Sequence, residues 1–220
     1  MNSNGVSLWP MLFSALGETL QMVLATLAIG GLVGLVLGVA LYTTRKGNLL
    51  ANRPVQGALN LLVNFVRPIP FIIFITAVQP LTVHVTGTSY GTRSVIFPMA
   101  LMATFATSRI VEQNLVALDP GVIEAARAMG AGPLRIITTV VVPEALGPLI
   151  LGYTFLFVAI TDMSAMAGAV AGGGLGAFAL TYGYQRFDYA VTWTAVGVII
   201  VLVQVAQLLG NQLARKVLRR

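Results

Sequence analysis

The sequence predicts an all-α integral membrane protein with five transmembrane helices and a long cytoplasmic loop between spans three and four. Three observations predict it. Hydrophobic side chains make up 57% of the 220 residues and charged ones only 9%, against about 25% charged in ordinary soluble domains. The apolar residues are gathered into five long runs, and the basic residues cluster at alternate ends of those runs. Mean hydropathy is +0.87. Thirteen basic and seven acidic side chains cannot cover the surface of a soluble fold of this length, which excludes the soluble-enzyme class. Cysteine is absent, removing disulfides, thiolate metal sites and cysteine nucleophiles. A lone histidine, His84, cannot build a multi-histidine metal site.

Crossing ~30 Å of hydrocarbon takes about 20 apolar residues in a helix. Residues 20–42 are the first such run, 58–81 the second, 94–111 a shorter third, 145–170 the fourth and 189–214 the fifth. Helices are expected because every backbone polar group in lipid must be paired, and these runs lack the alternation of barrel strands. Arg45, Lys46 and Arg53 follow span one, Arg127 and Arg135 lie between spans three and four, and Arg215, Lys216, Arg219 and Arg220 follow span five. With five spans they share one side, and only Arg93 and Arg186 fall on the other. The positive-inside rule then places the N-terminus outside and the C-terminus in the cytoplasm, with Trp9 and Trp193 at the outer interface. The net charge of +6 is thus an orientation signal, and no nucleic-acid partner is expected. A first segment without a basic stretch speaks against a cleaved signal peptide.

Residues 112–144 form the one long hydrophilic stretch. Asp119 followed by Pro120 is a helix start, since the carboxylate caps free N–H groups and proline suits the first turn. The helix is expected over residues 122–129, with Gly130 as its C′ terminator. A second short helix runs from about Pro133 to Pro143. Ala125, Ala126 and Ala128 give the first helix a face of small side chains that another protein could approach closely. A helical hairpin that merely connects two spans is the alternative.

Within this loop, Glu124-Ala125-Ala126, three residues, Gly130, nine residues and then Val140-Val141-Val142-Pro143 resemble the EAA loop of ATP-binding-cassette (ABC) type I importer permeases. Val140 and Val142 stand where that pattern has isoleucine and leucine. The resemblance extends from about Leu16 to Leu209, and it is most like the methionine-uptake permeases. Gly17-Glu18-Thr19-Leu20, the segment from Phe65 to Ile73, Glu124 to Gly130, Ser164 to Val170, Gly172 to Gly176 and Tyr182-Gly183-Tyr184 carry it. Pro68 and Asp162 depart from the expected small polar and small neutral residues.

The resemblance implies a division into an outer N-terminal segment (1–15), a permease domain (16–210) and a cytoplasmic basic tail (211–220). It implies a multi-pass protein of the bacterial inner membrane that moves methionine and catalyses no covalent chemistry. Implied partners are two copies of an ABC ATPase that bind ATP and Mg, a second permease forming a homodimer, a periplasmic substrate-binding protein and membrane lipid. No cofactor or metal is expected in this chain, which has no G-x-x-x-x-G-K-[ST] segment of its own. Glu124, Ala125, Ala126, Gly130 and Pro143 become the ATPase-coupling loop. The competing readings are a permease for another small amino acid or solute, and a stand-alone channel or membrane assembly protein. The loop separates the last from an importer.

Gly30, Gly34 and Gly38 fall at four-residue spacing in span one, where small residues let another helix approach in lipid. Generic membrane glycine content is the alternative. Gly172, Gly174 and Ala177 match a dinucleotide fingerprint in form only, because that motif requires a βαβ unit; a flexible outer loop is expected. Arg67 and Asp162 lie deep in spans two and four, where ionisable residues are functional-site hypotheses by default. They are candidate pathway-lining residues for the two ends of a zwitterion, with a structural pair or snorkelling charges as the alternatives. Asn64 is expected to share a helix face with Arg67. Met163 and Met166 are candidates for a deformable constriction, with ordinary packing as the alternative. His84 is expected in a short outer loop.

Overall fold

The computed structural model describes residues 2–3 and 6–218; Arg219 and Arg220 of the basic tail lie outside the described residues. Among the described residues, four helices are long and apolar enough to cross a membrane: α1 (Trp9–Thr43), α5 (Thr92–Val116), α9 (Leu146–Ala167, continued as a π-helical turn to Gly172) and α11 (Tyr189–Leu218). A bent pair, α2 (Arg53–Val66) and α3 (Phe71–Ala77), makes a fifth when its two halves are counted as one broken span. The all-helical class and the five-span count agree with the expectation. A two-residue antiparallel pairing, Asn2–Ser3 with Val6–Ser7, precedes α1.

Span two departs from a single straight helix. Its halves meet at 103°, because Pro68 and Pro70 remove two amide donors within three residues and clash with continued helix. The chain goes on through α4 (Gln79–Thr86), which ends at Gly87 with φ +77°. His84 therefore lies exposed on a helix rather than in a loop. The first helix also begins earlier than its apolar run. Its 35 residues span about 52 Å at 1.5 Å per residue, so residues 9–15 are its first turns rather than a segment ahead of it. Helix α5 runs five residues past the expected end and carries Glu112 within it.

Glycines set the closest helix seam. A Cβ added to Gly30 would lie 2.8 Å from the Ala103 side chain; at Gly34 it would lie 2.5 Å from Thr107, and at Gly38 2.5 Å from Val111. All three partners are on α5, so the four-residue stripe is where α1 meets α5. Beside it, the Tyr153 hydroxyl of α9 donates to the Gly31 carbonyl at 2.7 Å.

Three of the four clusters of buried side chains form layers along the bundle. Met22, Val23, Met99, Leu156 and Ile160 fill the middle. Leu8, Leu12, Leu175, Phe178 and Val191 fill one end, and Val111, Leu115, Ile123, Ala126, Ile136 and Val141 fill the other, beneath the long loop.

The glycine-rich segment is not a flexible loop. After Gly173 (φ +81°) the chain re-enters the bundle as α10 (Gly174–Phe178). Its free N-terminal donors are taken by α1: Gly174 N donates to Glu18 Oε2 at 2.6 Å and Leu175 N to Thr19 Oγ1 at 2.9 Å. A carboxylate at a helix N-terminus satisfies orphan N–H groups, and the absent Cβ of Gly176 lets α10 lie against the Ala165 backbone.

Candidate functional site

The long loop folds as two short helices packed on the end of the bundle. The first, α6 (Pro120–Ala128), starts where Asp119 Oδ1 accepts from Gly121 N at 2.8 Å. It ends in a Schellman motif: Gly130 N donates to Arg127 O at 2.9 Å and Ala131 N to Ala126 O at 3.2 Å, with Gly130 at φ +79°. Only a residue without a Cβ adopts that conformation freely. The second runs as α7 (Pro133–Ile136), a π-helical turn (Ile137–Val141) and α8 (Val142–Glu144), so Pro143 sits exposed at a helix start.

Orientation of α6 corrects the expected small face. Ile123 and Ala126, three residues apart, point into the bundle, and Ala126 is only 3% exposed among Val111, Leu115, Ile136 and Val141. The outward side carries Val122, Glu124, Ala125, Arg127 and Ala128, with Met129 81% exposed at its end. Sequence spacing alone could not orient this helix, because Ala-Ala-Arg-Ala has no apolar stripe. Ala125 and Ala128 are thus the small residues open to a partner, while Ala126 anchors the helix.

A cleft of about 530 Å³ opens where the end of α1, α2 and α5 meet, lined by residues that include Arg45, Asn60, Asn64, Arg67, Arg109 and Glu112. Glu112 is buried and is paired with Arg109, three residues earlier, and with Arg45 at 3.5 Å. The other arm of Arg109 donates to Asn60 Oδ1 and Asn64 Oδ1, each at 2.7 Å. Asn64, expected to share a helix face with Arg67, lines the same cleft and accepts from Arg109. Helix α2 buries little of its own: Val63 is the one buried residue among its 14. Hydrogen bonds worth about 1 kcal/mol each are then comparable with its apolar anchoring.

Arg67 lies at the bend of span two, exposed on the wall of this cleft rather than in mid-helix. Among the described residues no ion pair joins it to Asp162. Asp162 and Met166 are exposed on α9, whereas Met163 is half-buried against the middle core. Sequence reasoning missed the Arg109 network and the Glu18 cap. Signals existed for both. Arg109 and Glu112 are opposite charges at i,i+3, Asn60 and Asn64 are spaced i,i+4, and Glu18 is the only acidic residue before Glu112.

Residues 30–219 match the family model described as the binding-protein-dependent transport system inner membrane component. The chain belongs to this family. It is a permease subunit, a membrane transport component and not an enzyme. The permease is 40% identical to the probable D-methionine transport system permease protein MetI of Vibrio cholerae serotype O1, over 99% of both chains. It is 37% identical to the protein of the same description in Haemophilus influenzae, over 96% of this chain and 99% of that one. Among solved structures, a chain of the inward-facing MetNI methionine ABC transporter superposes with a TM-score of 0.93 at 37% identity, over 96% of the permease and 99% of that chain. An amino acid ABC transporter at 18% identity and TM-score 0.77 shares the fold.

Proposed function

We propose that the permease is the membrane-spanning subunit of an ATP-driven importer of methionine, working as a homodimer with two copies of a separate ATPase. The observation that carries this is α6: a capped helix pinned to the bundle by Ile123 and Ala126, with Ala125, Ala128 and Met129 bare on its far side. A channel has no use for such a helix. Pinned on one face and open on the other, it can transmit a push from a soluble motor to α5 and α9, between which it lies in sequence. The methionine assignment rests on the named relatives and on the MetNI structure.

In this reading the N-terminus is periplasmic, the C-terminus cytoplasmic, and a periplasmic binding protein delivers the amino acid from outside. ATP and Mg are held by the ATPase, whose closure moves the segment from Glu124 to Pro143 and switches the spans between inward-open and outward-open. Exposed Asp162 and Arg67 fit a hydrated dimer axis, since a charge facing lipid at the membrane centre costs at least ~2.5 kcal/mol. Co-purification tests the assembly: tagged permease should bring down the ATPase in equal amount, and permease recovered alone from gentle detergent would contradict it.

Two further outcomes are expected. Cysteines placed at Ser7 and Arg215, in a chain with none of its own, should react differently with an impermeant thiol reagent added outside the inner membrane. Ser7→Cys labels and Arg215→Cys does not; the reverse pattern inverts the topology. Arg67→Met should leave ATPase binding intact and lower uptake about tenfold, equivalent to ~1.4 kcal/mol on the translocation barrier. Asp162→Asn should show a milder loss. Unchanged uptake in Arg67→Met removes the arginine from the pathway.

A further inference from the structure

We infer that Arg109 is a positioning residue: a strap that ties the half-span α2 to α5 and so makes the cleft wall follow the movement of the coupling loop. The inference rests on the importer reading above and extends it to residues that reading does not use.

The geometry is a relay of short, directed contacts. Asn60 and Asn64 stand one turn apart on α2 and both accept from the same guanidinium nitrogen of Arg109. The other guanidinium nitrogen holds Glu112, and Glu112 holds Arg45 just beyond the end of α1. Two side chains, Arg109 and Glu112, thus join α2, α5 and the end of α1 around the cleft. Arg109 is on the last turns of α5, and only three residues separate that helix from α6. A shift of α6 therefore has only residues 117–119 to cross before it reaches the helix that carries Arg109.

Helix α2 is suited to follow. It is severed from α3 by the bend at residues 67–70, and its one buried side chain, Val63, sits in a small cluster with Leu41 and Phe105. Little else fixes its angle. Because Arg67 ends α2, whatever tilts α2 also moves Arg67 on the cleft wall. The buried Glu112 keeps the guanidinium oriented, as a buried carboxylate with two cationic partners must hold them. Uncoupling α2 from α5 leaves the ATPase able to cycle without moving the wall.

Two changes at the acceptors act in opposite directions and leave Arg109 and Glu112 paired. Asn60→Leu with Asn64→Leu removes both acceptors and loosens the strap. Asn64→Asp supplies a carboxylate and tightens it through a charge-assisted bond. In the reconstituted permease–ATPase complex with its binding protein, the double leucine variant should import about fivefold fewer methionine molecules per ATP hydrolysed, the low end of coupling between linked sites. Asn64→Asp should keep the wild-type ratio and turn over more slowly at unchanged KM. A merely structural strap would alter assembly or melting and leave the ratio at the wild-type value in both variants; that result overturns the inference. Spin labels at Leu61→Cys on α2 and Val116→Cys on α5, both exposed, give a readout independent of transport. The distance distribution should be narrow in the parent and broad in the double leucine variant, and equal widths overturn the strap. Absence of methionine uptake by the wild-type complex would instead count against the importer reading, and the label distances would still decide the strap.

Discussion

Ala125→Arg is expected to abolish association with the ATPase while the permease stays folded in the membrane. Ala125 is on the outward side of α6, so a long cation there occupies the space a partner's groove must fill and disturbs nothing inside the chain. Ala126→Arg is expected to fail differently. Its Cβ is buried among Val111, Leu115, Ile136 and Val141, where an arginine is both oversized and unpaired. Overpacking alone costs ~1–3 kcal/mol, and an uncompensated buried charge adds ~3 kcal/mol or more. That variant should detach the loop and lower the melting midpoint, whereas Ala125→Arg should melt like wild type. Pull-down of the ATPase together with melting in detergent separates the two. Full ATPase recovery by Ala125→Arg would take α6 out of the interface.

The other large effect is expected at the α1–α5 seam. In Gly34→Leu the first added carbon alone meets Thr107 at 2.5 Å and the Thr104 carbonyl at 2.7 Å, and the rest of the side chain has nowhere to go. Backbone cannot yield as a flexible side chain can, so the cost should exceed the ~1–3 kcal/mol of ordinary overpacking. The variant should be recovered at a small fraction of the wild-type level and melt well below it. Gly57→Leu is the control, because nothing lies within 4 Å of a Cβ at Gly57; it should be tolerated. Equal melting of Gly34→Leu and wild type would mean that the helices need not touch along this stripe.

Much of this arrangement was legible in the residues because its causes are local. Asp119-Pro120 and Gly130 punctuate α6 through capping and a positive φ, and both are visible in a single sequence. The stripe of Gly30, Gly34 and Gly38 marks a close approach, although not which helix approaches. Long apolar runs mark the spans because lipid forbids anything but paired backbone. What stayed hidden depends on neighbours remote in sequence. A hydropathy run passes through Pro68 and Pro70 without registering the bend. The three alanines of α6 give no stripe to show that Ala126 turns inward. Glycines 172–174 look flexible until Glu18 and Thr19, some 156 residues away, take up the helix donors. Arg109 looks like an interfacial cation until α2 folds over it.

In the proposed importer a motor outside this chain drives methionine through it by way of α6. The most direct measurement is uptake of labelled methionine into proteoliposomes holding the permease and its ATPase, with binding protein and ATP on their respective sides. Accumulation should require both ATP and binding protein, be abolished by Ala125→Arg and be competed by unlabelled methionine. Methionine movement that persists without ATP, or that survives Ala125→Arg, would contradict this coupling.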